Sequence, residues 1–341
     1  MKKTVVSIAA LLSCCLAFSQ EANDAGLSGD LLIVPRLEYS PCVYTGDGYF
    51  ESDFGDSGLS TLFEGDLGDH VSFSVANLWL NKEPGLLYKE SFSPIPTLYT
   101  WVNWAYVDIH YNNFFTVLGK QAIKIATFEE DEYDFNSYSA LSSFVWNYFP
   151  LYQWGGCIGW RSDDQESEAG LQINSGFSGR WPFQKGITAS AYYLTPIGEK
   201  TNARVSLTYF HNEDILDIAE NNKYFMLAGG LQREFGDATV TVDAYFYNKY
   251  STFNTSIIGS LKYDFEQFDV TARACFNNYG MAEITNTSFK VGGVLQYYPI
   301  RNCEDLRLHL AASYYPVPTM PEVSAVNFSA GVTYFLNLKL F

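Results

Sequence analysis

The stretch Val240-Thr241-Val242-Asp243-Ala244-Tyr245-Phe246-Tyr247-Asn248-Lys249 alternates with period two. Val240, Val242, Ala244 and Phe246 fall on one side, and Thr241, Asp243, Tyr245, Tyr247 and Lys249 on the other. A β-strand points successive side chains to opposite faces, so this segment has one greasy face and one polar face. Sixteen stretches of this kind run along the chain, at 27–39, 58–66, 69–80, 98–111, 113–125, 152–162, 167–177, 186–196, 200–211, 223–235, 237–250, 254–265, 267–280, 285–299, 304–315 and 323–341. An even number of antiparallel strands is what a single-chain membrane barrel closes with. The pattern therefore predicts an all-β, transmembrane antiparallel β-barrel with lipid outside and water inside. A soluble sandwich or solenoid also alternates, but about 320 helix-free residues would exceed the usual size of a domain. In lipid, a closed barrel is the one helix-free way to satisfy every backbone group.

The N-terminus supports export. Met1-Lys2-Lys3 is followed by an apolar run from Thr4 to Phe18 and a small-x-small site at Ala17-Phe18-Ser19. These are the parts of a signal peptide, too short to span a bilayer. Residues 1–19 are expected to be removed, leaving 20–341 as one barrel domain. Leu11-Leu12-Ser13-Cys14 loosely resembles a lipoprotein box and offers a competing cut. No later run of 18 apolar residues marks a membrane helix.

Composition limits the partners. Without Lys2 and Lys3 the chain has 19 basic against 38 acidic residues. Nucleic acid is thereby excluded, because phosphate binding needs a basic patch. An acidic surface suits contact with outer-membrane lipid and lipopolysaccharide through bridging divalent cations. The 25 Tyr and 26 Phe fit a membrane boundary, where a ring sits in the apolar layer with its polar tip in water. Cys42, Cys157, Cys275 and Cys303 match no metal or redox spacing, and Cys157 and Cys275, on the parity of polar strand neighbours, read as filler rather than a pair.

Connection lengths suggest an orientation. Turn residues at 67–68, 112, 163–166, 197–199, 236, 266 and 300–303 make short links, whereas 40–57, 81–97, 126–151, 178–185 and 212–222 are longer. The long links are expected on the extracellular side. The polar parity is assigned Arg36, Lys120, Lys124, Arg161, Arg204, Arg273, Lys290 and Arg307, with His110 and His309. A charge on the lipid face costs about 2–4 kcal/mol near the midplane, so charged residues in mid-strand point to a watery interior.

The longest link, the third, carries Glu129-Glu130-Asp131-Glu132-Tyr133-Asp134. Folded inward, it would narrow the lumen, with Glu129, Glu130, Asp131, Glu132 and Asp134 facing a basic wall. Such a field screens solutes by charge. A solvated outer loop or one holding Ca²⁺ is the alternative, although the run lacks the glycine and terminal glutamate of an EF-hand. The four His have no partner motif for catalysis, so no catalytic residues, no resident metal and no cofactor are expected. Gly155-Gly156, Gly229-Gly230 and Gly292-Gly293 lie within strands with no helix following, and are expected to relieve curvature or make room for bulky neighbours.

One hairpin carries a resemblance. Trp104-Ala105-Tyr106-Val107-Asp108 and Val117-Leu118-Gly119-Lys120-Gln121, then the acidic link and the strand Trp154–Trp160, resemble the phosphate-selective porin O/P-type family of Bacteroidetes, over roughly residues 60–180. The resemblance implies a homotrimer of water-filled outer-membrane barrels passing small hydrophilic solutes or ions by passive diffusion, with a folded-in third loop. Two departures stand out. Anion-selective members of that family stack arginines along the lumen, whereas this loop is acidic. Phe341 falls off the apolar series Phe328 to Leu340, which a bulge near Lys339 would restore. The alternative function is a non-conducting barrel serving as a surface adhesin or structural anchor.

Overall fold

A computed structural model describes residues 27–45, 48–54, 57–81, 102–131, 143, 145–146, 152–175, 186–212, 223–249, 252–281, 284–301, 303–317 and 320–340. The strands are β1 (Asp30–Tyr44), β2 (Phe50–Asp53), β3 (Gly58–Asp66), β4 (Val71–Asn81), β5 (Val102–Tyr111), β6 (Phe114–Ala122), β7 (Tyr152–Arg161), β8 (Glu168–Ser175) and β9 (Gly186–Gly198). They continue with β10 (Thr201–Asn212), β11 (Lys223–Phe235), β12 (Ala238–Lys249), β13 (Thr252–Asp264), β14 (Phe268–Met281), β15 (Ile284–Tyr297), β16 (Leu306–Val317), β17 (Met320–Tyr334) and β18 (Leu336–Lys339). One four-residue helix, α1 (Phe128–Asp131), lies between β6 and β7.

All eighteen segments belong to one sheet in which each pairs antiparallel with its neighbour. Both β2 and β3 pair with one edge of β1, and β17 and β18 share the other. The segments therefore make sixteen staves, and β1 closes them into a barrel, as the alternation predicts. Short links gather at one end. There Asn112 (φ 51°) and Gly236 (φ 67°) take the left-handed conformation required by two-residue hairpin turns. At the other end the links β4–β5, β6–β7, β8–β9 and β10–β11 are long, while those from β12 to β17 are tight.

Two boundaries differ from the sequence pattern. The expected loop 40–57 instead extends β1 to Tyr44 and adds β2. Pro41 has no N–H to donate, yet the β1–β17 ladder merely skips Ser40 and Pro41, then resumes in the same register at Cys42↔Asn327. The last stave starts at Met320 rather than 323 and is broken at Phe335. Its register against β1 is unchanged from Arg36↔Thr333 to Asp30↔Lys339, so no bulge occurs near Lys339. Phe341 lies outside the described residues.

The two faces invert the polarity of a soluble protein. Leu207 is 51% exposed and Val242 46%, whereas Ser206, Thr241 and Asp243 on the opposite parity are 5% exposed or less. Exposed aromatics collect near both ends of the staves: Tyr111, Phe114, Trp160 and Phe235 at the short-turn end, Trp154, Phe225, Phe253 and Phe289 at the other. Between them the outer face is aliphatic, with Val205, Leu227, Ile257, Leu261 and Leu310. An aliphatic belt flanked by aromatic girdles matches a bilayer's apolar core and its two interfaces.

Candidate functional site

β6 ends at Ala122, still paired with Tyr152 of β7, and from there the chain turns inward. Gly119 marks this place: it sits at φ +133°, and a Cβ there would fall 2.2 Å from the Ala105 carbonyl oxygen of β5. The residues that follow are among the most buried in the protein, with Ile123, Ile125 and Thr127 fully enclosed and Phe128 and Glu129 nearly so.

This inward segment is stitched to the wall stave by stave. Gln172 of β8 receives the Lys124 amide at 2.7 Å and donates to the Ala122 carbonyl at 2.8 Å. Ser190 of β9 donates to the Lys124 carbonyl at 2.5 Å, and Ser206 of β10 to that of Ile125. Arg204, also on β10, donates to the Thr127 carbonyl at 3.1 Å and lies 4.1 Å over the Phe128 ring. On β12, Asp243 accepts the Phe128 and Glu129 amides at 3.0 and 2.8 Å. Tyr245 OH lies 3.0 Å from the Thr127 hydroxyl, donates to Glu129 Oε2 at 2.7 Å and accepts from Trp146 Nε1 at 2.8 Å. Each contact satisfies a backbone or side-chain group that burial would otherwise leave without a partner.

Apolar side chains complete the seat. Ile123, Ile125, Val145 and Trp146 pack on Phe210, Tyr224, Met226, Tyr245, Tyr247 and Ile258, which project inward from β10 to β13. These wall residues break the polar parity of the lumen because a loop, rather than water, covers them.

The predicted site residues fall into three groups. Glu129 and Glu130 lie on the inward loop but do not face an opposed basic wall. Glu129 is buried, accepts the Ser143 amide at 2.6 Å as well as Tyr245, and faces Arg273 across a cavity of ≈ 10 Å³ lined also by Asp243 and Ser260. Burial pushes its carboxyl above the ordinary range, against the pull of Arg273 and the hydrogen bonds from Ser143 and Tyr245. Glu130 pairs with Lys124 at 3.0 Å and accepts the Ala126 amide at 3.1 Å. The backbone of Asp131 closes α1. Glu132 and Asp134 lie outside the described residues.

The basic residues do not form one wall. Arg204 and Arg273 sit beside the loop rather than opposite it. Lys124 belongs to the loop itself, because β6 ends at Ala122 rather than 125. Lys120 pairs with Ala105 and with the exposed Trp154, which gives it the outer parity and not the lumen parity expected. It is nonetheless buried, and its ammonium donates to the Val102 carbonyl at 2.7 Å. The remaining ones are distributed around the inner wall. Arg161 pairs with Glu168 at 2.8 Å and Asp108 at 3.4 Å. Arg36 donates from Nε to Glu38 at 2.9 Å, Lys290 lies 5.7 Å from the Tyr315 ring, and Arg307 lies 4.2 Å over Phe335. Among the described residues, no group of three or more His, Cys, Asp or Glu gathers as a metal site, and Cys42, Cys157, Cys275 and Cys303 are not joined in disulfides.

The sequence pattern missed Asp243 and Tyr245 as site residues, although both were visible as a carboxylate and a phenol on the polar side of the alternating stretch. What it could not supply was their partner, which is 115 residues away along the chain.

Sixteen staves, an apolar exterior and a long link folded inside place this barrel among known ones. The fold is that of outer-membrane porins. A loop-deletion variant of OmpT, an outer membrane protein of Vibrio cholerae, superposes with a TM-score of 0.61 at 14% identity, covering 91% of this chain and 100% of that one. An anion-selective porin from Comamonas acidovorans gives 0.62 at 9% identity, over 90% and 100%. A BenF-like porin from Pseudomonas fluorescens gives 0.54 at 10% identity, over 92% and 99%. Identities this low carry the fold alone. No family model and no curated protein matches the sequence, so the narrower resemblance to the phosphate-selective O/P-type porins rests on the Trp104–Gln121 hairpin.

Proposed function

We propose that the protein is a porin of the bacterial outer membrane, admitting small hydrophilic solutes or ions by passive diffusion through a lumen narrowed by its third long link. The observation that carries this is the inward segment Ile123–Asp131, bonded along the inner wall of a barrel whose outer face is apolar. A barrel with no traffic has little physical reason to hold a polar, charge-rich interior. No enzymatic step is assigned to it. Export through the periplasm after loss of residues 1–19, contact with lipopolysaccharide and assembly as a homotrimer belong to the same proposal. The long links would then face outward from the cell, and the tight turns the periplasm.

Selectivity is assigned to the balance between the acidic run and the inner-wall cations. Glu129 and Glu130 are engaged by Tyr245, Arg273 and Lys124, which leaves Asp131, Glu132 and Asp134 as the carboxylates of the filter. The anion selectivity of the Comamonas porin does not transfer to this chain at 9% identity.

A second reading is a non-conducting adhesin or anchor, favoured by the inward apolar residues Phe210, Tyr224, Met226 and Ile258. Their burial under the loop is equally well explained as its seat. Liposome swelling with sugars of increasing size tests the proposal. Swelling that falls off with sugar size supports a pore, and vesicles holding folded protein that stay osmotically tight would favour the anchor.

A further inference from the structure

The part that decides where the inner loop lies belongs to the wall. Asp243 stands in mid-strand on β12, 2% exposed. Its two oxygens are divided between two amides, Oδ1 accepting from Phe128 N and Oδ2 from Glu129 N. These open α1, and the first amides of a helix have no partner within it. The cap normally comes from the residue just before the helix. Here that residue is Thr127, whose hydroxyl is turned toward Tyr245. The role passes to a wall carboxylate far along the chain.

The neighbouring stave is cut to fit. Gly230 of β11 pairs directly with Asp243. A Cβ on it would fall 2.1 Å from Asp243 Oδ1 and 2.7 Å from Cδ2 of Phe128. Any side chain there would displace the carboxylate or the helix. Arg204 closes the far side by holding the Thr127 carbonyl and covering the Phe128 ring. A carboxyl group offers two acceptor oxygens at a spacing that suits two consecutive amides, so one side chain can hold this turn in place.

We propose that Asp243 is the positioning residue of the inner loop: with Gly230 beside it, it fixes how far residues 123–131 project into the lumen, and so the width and charge a solute meets. The consequence for solutes rests on the porin proposal above, while the placement of the loop does not. Asp243 touches no solute in this account; it acts through Phe128 and Glu129.

Full-length protein carrying Asp243→Ala, Asp243→Asn or Gly230→Val tests this through two readouts. The first is amide hydrogen exchange over 123–131 in detergent, and the second is single-channel current with its open-channel noise and reversal potential. Asp243→Ala is expected to speed exchange at Phe128 and Glu129 on the order of tenfold, the loss of a capping contact. It should also shift conductance and raise the noise, with heat-modifiable gel migration still reporting a folded barrel. Gly230→Val should behave alike. Asp243→Asn keeps one carbonyl acceptor and turns an NH2 group toward the other amide, so it should restore protection at only one of the two. The proposal is overturned if the Ala variant exchanges as slowly as the natural protein, or if its loop loosens while conductance and reversal stay unchanged. If Asp243→Ala does not fold, the isosteric Asn variant decides: both amides as protected as in the natural protein would contradict a need for two acceptor oxygens. A natural protein that never conducts would overturn the porin proposal, while exchange would still decide the placement.

Discussion

At the scale of single residues, the inner loop is governed by carboxylates that do not face the lumen. Glu129 reads in the sequence as part of a filter, yet it is buried against Tyr245, Ser143 and Arg273. Its carboxyl has an ordinary value of 4.5 and is raised in the docked loop, first by burial. The docked state therefore holds the proton more tightly than the undocked one, and the linkage has a definite sign. Docking is most favourable below the ordinary carboxyl value, weakens as pH rises toward the raised value, and levels off above it. Exchange of the Ser143 amide is accordingly expected to accelerate, beyond its intrinsic base dependence, as pH rises through that window. Glu129→Gln should remove the excess, and an unchanged profile in that variant would refute the assignment. The acidic run was legible as a loop and as a charge density. Its division into anchored and filtering members was not, because the side chains that enclose Glu129 include Tyr245 of β12 and Arg273 of β14, more than a hundred residues away.

At the scale of elements, the seam where the first and last staves meet shows what strand patterning specifies and what it omits. Alternation alone located every stave, since a one-residue slip would turn the apolar set inward. It did not find β2 or the break at Phe335, because β1 shares one edge between two segments on each side and period two is blind to such sharing. Nor did it find the tie across β17. Gly331 pairs with both Glu38 of β1 and His309 of β16, and His309 Nε2 reaches Glu38 at 3.0 Å over it. A Cβ on Gly331 would fall 2.5 Å from Cε1 of His309 and 2.6 Å from the Leu37 carbonyl oxygen. Gly331→Ala is expected to cost about 1–3 kcal/mol, the range for forcing extra atoms into a packed site. Urea unfolding from vesicles measures it. A midpoint unchanged from the natural protein would mean the seam relaxes without loss.

At the scale of the whole molecule, the account depends on which face meets lipid. The exposed Leu207 lies on the aliphatic belt, so Leu207→Arg should lower stability in a bilayer by about 2–4 kcal/mol if it lies near the midplane. The same charge placed on the inner wall at Gln232, a half-buried polar side chain on the opposite parity to the exposed Leu231, should cost less. Equal penalties at the two positions, measured by folding into vesicles, would contradict the assignment of faces. Fold and faces were legible in the sequence because they follow from period-two chemistry repeated sixteen times. Loop placement was legible only as an expectation, since it depends on single distant partners such as Asp243. The central claim is that this barrel conducts, and current through a planar bilayer tests it most directly. Purified mature protein should give discrete conductance steps, with a reversal potential across a KCl gradient that moves toward anion preference when Asp131, Glu132 and Asp134 are neutralised. Folded protein that inserts and passes no current would contradict the account.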